Sequence, residues 1–144
     1  MTKLDHWQTR TFPNFLRERA STPFCWGKND CAMFAADAIR AITGIDIASD
    51  FRGKYTTELG AMKTIKQVCG GSSVVDAAIY CATKHGLMEN KHPLMAKVGD
   101  LVIVSNGGTM IAGVVHTNGR EVVSVGESGL VLLPITQVTR SWSI

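Results

Sequence analysis

The chain has 144 residues, of which 45% are hydrophobic and 19% are charged, so it can bury one core and is unlike a disordered chain or a coiled coil. Its formal net charge is only +3 and it contains no basic run, which argues against nucleic-acid binding as the main activity. No stretch reaches the roughly 20 apolar residues of a membrane span, and the charged start MTKLDHWQTR is unlike a signal peptide. We therefore expect a soluble protein that is made in a cytoplasm.

A helical pattern of apolar residues occupies residues 1–99. Four helices are predicted, over about 13–20, 31–43, 58–69 and 74–85. Pro13 suits the first turn of the first helix, and the four-residue spacing of Phe34, Ala38 and Ile42 predicts a buried face for the second. The last three helices have residues suited to start them (Asp30, Thr56 or Thr57, and Ser72 or Ser73) and glycines suited to follow them (Gly44, Gly70 and Gly86).

Residues 100–144 change to the pattern of strands. Runs of β-branched residues are separated by the turn signals NGG, NGR and ESG, which are typical of β-hairpins. The predicted strands span 101–105, 110–117, 121–126 and 130–134, with 137–143 as a possible last one. Because the helices come first and the strands follow, we predict an α+β fold of one domain, residues 1–144, with helices packed on an antiparallel sheet.

The cysteines predict neither disulfides nor a metal site. The chain has four of them: Cys25, Cys31, Cys69 and Cys81. We expect free thiols, because the chain lacks a secretion signal and is large enough not to need covalent cross-links. The cysteine spacings contain no zinc-knuckle pair and the histidines form no HxxxH pair, so we expect no metal and no cofactor.

Cys31 has the position of a reactive thiol. It directly follows Asp30, the expected N-cap, so its sulfur would lie near unpaired backbone N–H groups and the positive end of the helix dipole. Such a position favours a thiolate, as in many nucleophilic cysteines, and Trp26 and Gly27 just upstream indicate a tight loop. The alternative is that Cys31 is a small apolar residue that fills a close helix contact.

These motifs resemble the NlpC-type branch of the papain-like cysteine peptidases. The resemblance is carried by the cysteine that opens a helix, by the strand start VGDLVI at 98–103 and by the hairpin GVVHTNGREVVSVGESGL at 113–130. It implies a cysteine-bearing helix packed on a C-terminal antiparallel sheet, with Cys31 as the nucleophile and a histidine on a later strand as the base.

A closer resemblance is to small proteins encoded in bacteriophage tail regions and prophages. It is carried by WGKNDC at 26–31, FRGKYTTELGA at 51–61, the GDLVIV strand at 99–104 and the terminal RSWSI at 140–144. It implies a tail protein, located in the virion tail or in the host cytoplasm during assembly, with other phage tail proteins as partners.

The resemblance fails at the base. Aligning the family's base strand on residues 111–119 places Ile111, which cannot accept a proton, where the histidine belongs. His116 follows five residues later, on the opposite strand face from Ile111. We therefore expect an inactive fold that acts by binding proteins or cell-wall fragments; the alternative is an active peptidase or amidase that cleaves peptidoglycan stem peptides, with Cys31 as nucleophile and His116 as base.

The motifs WGKNDC and FRGKYTTELGA contain the candidate binding residues, which are Trp26, Asp30, Arg52 and Tyr55. Arg52 has two interpretations. It pairs structurally with Asp46, Asp50 or Asp30, or it lines the cleft beside Cys31 and holds a carboxylate of a stem peptide. Trp26 suits a core or interface anchor better than a sugar platform.

Overall fold

The computed structural model describes residues 1–144 and has an α+β fold, which confirms the fold class predicted from the order of the patterns. The helices are α1 (Phe12–Arg19), α2 (Cys31–Thr43), α3 (Glu58–Cys69) and α4 (Val74–Lys84). The strands are β1 (Met88–Glu89), β2 (Leu101–Asn106), β3 (Thr109–Val115), β4 (Glu121–Gly126), β5 (Gly129–Pro134) and β6 (Val138–Ser143). A π-helical turn covers Trp7–Thr11, and 3₁₀ turns cover Pro93–Met95 and Ile135–Gln137.

Helices α2 and α3 begin and end at the residues that their predicted capping residues indicated. The side chains of Asp30 and Thr57 each accept a hydrogen bond from the backbone N–H three residues later. Gly44 and Gly70 follow the same helices in the left-handed conformation. None of the helices combines the length and the apolar character needed to cross a bilayer.

All six strands form one antiparallel sheet in the order β1-β6-β2-β3-β4-β5. The sequence carries no strand signal for β1, whose two residues become extended because they pair with β6. β3 ends at Val115, two residues before the end that the sequence predicted at 117. His116 therefore lies just beyond the strand, at the start of the connection to β4.

The main core lies between one face of the sheet and the helices. α2 and α4 pack directly on the strands, whereas α1 packs on α2 and α3 packs on α4. Phe34, Ala38 and Ile42 of α2 are fully buried, as their spacing predicted. The opposite face of the sheet carries a smaller buried cluster, which includes Val102 and Val115.

β3 and β4 are joined over only part of their length. They pair at Val114 with Val123 and at Val115 with Val122, and at no other position. β3 and β2, by contrast, pair over six positions, Leu101–Asn106 with Thr109–Val114. The edge of β3 at its first residues, up to Met110, is therefore not paired with β4, and the candidate site borders this edge.

Candidate functional site

A large apolar cavity lies between α2, α3, α4 and the first half of β3. Its volume is about 700 Å³, which is in the range of small-molecule and peptide sites, and 23 of its 29 lining residues are hydrophobic. The other six are Asp30, Glu58, Ser72, Ser73, Gly108 and Thr109. Two carboxyl groups, those of Asp30 and Glu58, line the cavity. Because no basic side chain lines it, the cavity has an acidic character.

Cys31 forms part of the cavity wall at the first residue of α2. The backbone at Ala112 on β3, together with the backbone at Cys31 and Ala32, lies close enough to the sulfur to lower the pKa of the thiol. Burial among apolar groups, with a smaller contribution from the Asp30 carboxylate, nevertheless raises the pKa of the thiol to about 11. The prediction that the helix start would favour a thiolate is therefore wrong, because desolvation outweighs the backbone hydrogen bonds.

The residue that faces the Cys31 sulfur is Ala112 rather than Ile111. Ala112 belongs to the core on the helix face, whereas the Ile111 side chain packs against the cluster on the other face. This follows from the alternation of side chains along β3. The position opposite the thiol is apolar, as the alignment implied, but it lies one residue further along the strand than predicted.

His116 lies at the far end of β3 from the cavity. Four residues separate it from Ala112, which is about 13 Å along an extended strand. Its Nδ1 accepts a hydrogen bond of 3.1 Å from the Asn118 backbone N–H within the turn. Neither His116 nor any other histidine lines the cavity, so the structure does not bring His116 and Cys31 together as a catalytic pair.

Asp30 and Tyr55, by contrast, meet beside Cys31. The Asp30 carboxylate is 2% exposed and accepts three hydrogen bonds. The Met33 N–H donates to Oδ1 at 2.9 Å, and the Gly27 N–H and the Tyr55 hydroxyl donate to Oδ2 at 2.9 and 2.6 Å. Burial, followed by this bond to Asp30, raises the pKa of Tyr55. Asp30 has its acceptor positions filled from within the protein, so it shapes the cavity wall rather than binding a ligand.

Arg52 has the structural role and not the binding role. Its guanidinium contacts both Asp46 oxygens, at 2.7 and 3.1 Å, and Asp37 at 2.7 Å, and it does not line the cavity. Asp46 was among the partners expected under the structural interpretation. The structure does not place Arg52 in the wall of the cavity, where the alternative interpretation needed it. Asp37, which also binds Arg19, was missed, although the one acidic residue in the apolar helix CAMFAADAIRAIT indicates that this carboxylate needs a cationic partner.

The mouth of the cavity carries exposed apolar side chains. Trp26 is 37% exposed and stacks edge-on against Phe24, with 4.9 Å between the ring centroids. Met62 of α3 is 50% exposed and Met110 of β3 is 43% exposed. Sequence reasoning found Trp26 but missed both methionines, because their exposure depends on how far α3 and β4 stand from β3.

We expect iodoacetamide to alkylate Cys25 before Cys31 in the native protein at neutral pH. Cys25 is exposed, whereas a pKa of about 11 leaves roughly one Cys31 thiol in ten thousand ionised at pH 7. Mass spectrometry of the digested protein measures both rates, and labelling in urea, where all four thiols should react alike, is the control. Preferential labelling of native Cys31 would contradict the raised pKa.

One family model matches this chain. It is described as a domain of unknown function (DUF6950), and it matches residues 2–144. No curated protein and no solved structure matches the chain. The matched range contains every residue of the cavity, and the family description assigns no activity to it.

Proposed function

We propose that this chain, which belongs to the DUF6950 family, is a binding protein with an NlpC-like frame and no hydrolytic activity. The observation that carries this proposal is the environment of Cys31: a thiol with a raised pKa, beside the Ala112 backbone, in the wall of an apolar cavity that no histidine lines. The cavity is then a recognition site, in which Cys31 is one apolar wall residue among many.

The chemistry of a cysteine peptidase needs two things that this site lacks. The nucleophile must be a thiolate, and the leaving amine must receive a proton from a general acid within hydrogen-bond reach. The methyl side chain of Ala112 can neither accept nor donate a proton. The Asp30 oxygens already accept hydrogen bonds from Met33, Gly27 and Tyr55. The location of Cys31 at a helix start is the one feature that favours the peptidase alternative.

The biological setting that we propose is a phage tail. Its support is the resemblance of WGKNDC, FRGKYTTELGA and the terminal RSWSI to proteins of tail regions. In that setting the protein is a tail-tip or tail-assembly component, present in the virion tail or in the host cytoplasm during assembly. Its partners are other tail proteins or peptidoglycan peptides, bound and not cut.

Incubation of the purified protein with peptidoglycan under reducing conditions tests the absence of hydrolysis. We expect no soluble muropeptides, and an active NlpC-type amidase in the same buffer is the positive control. In a phage that encodes this chain, a folded Cys31→Ala variant should leave infectivity unchanged, because no nucleophile is needed. Muropeptide release that disappears in Cys31→Ala would establish the peptidase alternative and overturn the proposal.

A further inference from the structure

The start of β3, at Met110, presents unpaired backbone groups at the border of the cavity. In an antiparallel sheet, alternate residues direct their N–H and C=O to opposite neighbours. The backbone N–H and C=O of Val115 bond to Asp100 and Gly99, on the side of β2. The backbone groups of Val114, Ala112 and Met110 therefore point to the opposite side, towards β4. Val114 meets β4, and the Ala112 carbonyl accepts the Ser124 hydroxyl at 2.8 Å.

Met110 has no such neighbour. β4 does not pair with β3 beyond Val114, so the N–H and C=O of Met110 point to a side that no strand occupies. Gly108, Thr109 and Met110 all line the cavity, which places this open strand edge on its border. An edge of this kind accepts an added strand, since an extended peptide supplies the missing backbone partners.

The exposed apolar side chains at the cavity mouth, beside this edge of β3, also suit an extended peptide. Trp26 and Met62 lie on the cavity together with Met110, and each is more than a third exposed. Exposed apolar side chains grouped at a cavity mouth are typical of binding surfaces, and methionine adapts its shape to different partners. An acyl chain would also fill the cavity, but it would leave the Met110 backbone groups unpaired, which favours a peptide.

The charge of the cavity selects among peptides. Glu58 lines the cavity, is exposed at the first residue of α3 and forms no ion pair within the protein. No lysine, arginine or histidine lines the cavity to attract an acid. A lysine or arginine in the occupant would therefore meet an unpaired carboxylate, whereas an acidic peptide would be repelled by it.

We propose that the cavity takes an extended, apolar peptide segment of a partner protein, which carries a lysine or arginine towards Glu58 and adds as a strand to the free edge of β3 at Met110. This inference rests on the proposed binding function and names its ligand class. The apolar side chains of the segment enter the cavity on alternate positions, and the intervening ones face solvent.

Selection from a random octapeptide display library on the immobilised full-length protein tests the ligand class. We expect the enriched peptides to be apolar at alternate positions and to contain lysine or arginine. The strongest binders are then synthesised with a fluorophore, and their affinity is measured by anisotropy. Enrichment of acidic peptides, or of none at all, would overturn the proposal.

Two matched comparisons test the pose. Glu58→Gln should weaken the basic peptide up to about fivefold at low ionic strength and less at high salt. Asp5→Asn should have no effect, because Asp5 is exposed, does not line the cavity and lies near the end of α2 away from Cys31. N-methylation of alternate peptide amides should cost about tenfold in one register and little in the other, because only one register faces β3. Equal effects in either comparison would contradict strand addition beside Glu58.

The peptide-binding experiments and the muropeptide assay can fail independently of each other. Release of muropeptides refutes the absence of hydrolysis whatever the peptide results are. If muropeptides are absent, no peptide binds, and a fluorescent fatty acid binds instead, the non-hydrolytic function stands and the peptide proposal fails. Displacement of the bound octapeptide by that fatty acid, with the Glu58 and N-methyl effects present, supports the peptide pose within the cavity.

Discussion

Replacing Gly27 with alanine is expected to destabilise the protein by about 2–6 kcal/mol. Gly27 has φ +83°, which costs an L-residue roughly 1–3 kcal/mol. A Cβ there would lie 2.0 Å from the Tyr55 carbonyl oxygen, which is a backbone atom and cannot rotate away. The loop before α2 and the segment around Tyr55 would have to separate, at a further cost of about 1–3 kcal/mol. Urea unfolding followed by circular dichroism measures the change.

Gly53→Ala is the matched control for Gly27→Ala. Gly53 has a similar φ of +76°, but a Cβ there would meet nothing within 4 Å. Only the conformational cost remains, so we expect a loss of about 1–3 kcal/mol, smaller than that of Gly27→Ala. Equal losses in the two variants would show that the close approach of Gly27 to Tyr55 does not contribute to stability.

Replacing Asp30 with alanine is the second large effect, at about 3–7 kcal/mol. The change removes the N-cap of α2, which costs roughly 1 kcal/mol, and leaves the Gly27 N–H and the Tyr55 hydroxyl without their acceptor. Each buried group left unpaired costs about 1–3 kcal/mol. Chemical unfolding measures the loss, and the binding of an enriched octapeptide should weaken with it, because Tyr55 then no longer holds the cavity wall in place.

Asp30→Asn separates the cap from the rest of this network. The amide oxygen still accepts the Met33 N–H, while its NH₂ group faces the two donors that the second carboxylate oxygen accepted. We expect a loss intermediate between wild type and Asp30→Ala, of about 1–2 kcal/mol. If Asn were as damaging as Ala, the cap would contribute nothing and the Tyr55 and Gly27 bonds would account for the whole effect.

The stability of this loop matters for function because it carries most of the candidate site. Asp30 joins the loop at Gly27 to Tyr55, while Arg52, three residues before Tyr55, is held by Asp37 and Asp46. The motifs WGKNDC and FRGKYTT are therefore two halves of one structure. The polar side chains of Asp30, Arg52 and Tyr55 are hydrogen-bonded to partners within the protein, whereas Trp26 and Cys31 contribute apolar surface to the cavity.

The elements whose signals are local could be read from the sequence. Asp30 and Thr57 start their helices with their own side chains, Gly44 ends α2 by its own conformational freedom, and NGG turns β2 into β3 within a few residues. Each of these choices is settled by neighbours along the chain. The α+β class then follows from the order of the elements, which is why it was predicted correctly.

The site depended on contacts between distant parts of the chain. Whether Ala112 or Ile111 faces Cys31 is decided by the register of β3 beneath α2, and a shift of one residue exchanges the two faces. The pKa of Cys31 is likewise set by the apolar groups packed around it, which a position in the sequence does not show.

By itself, the sequence determined the fold class, the helix starts and the placing of Cys31 at the head of α2. Only the tertiary structure decided that this thiol stays protonated, that His116 lies too far away to serve it, and that β3 keeps a free edge beside an acidic, apolar cavity. The physical reason is that capping and turn formation are settled within a few residues. Desolvation, strand register and strand separation arise only when α2, α3 and α4 close over the sheet.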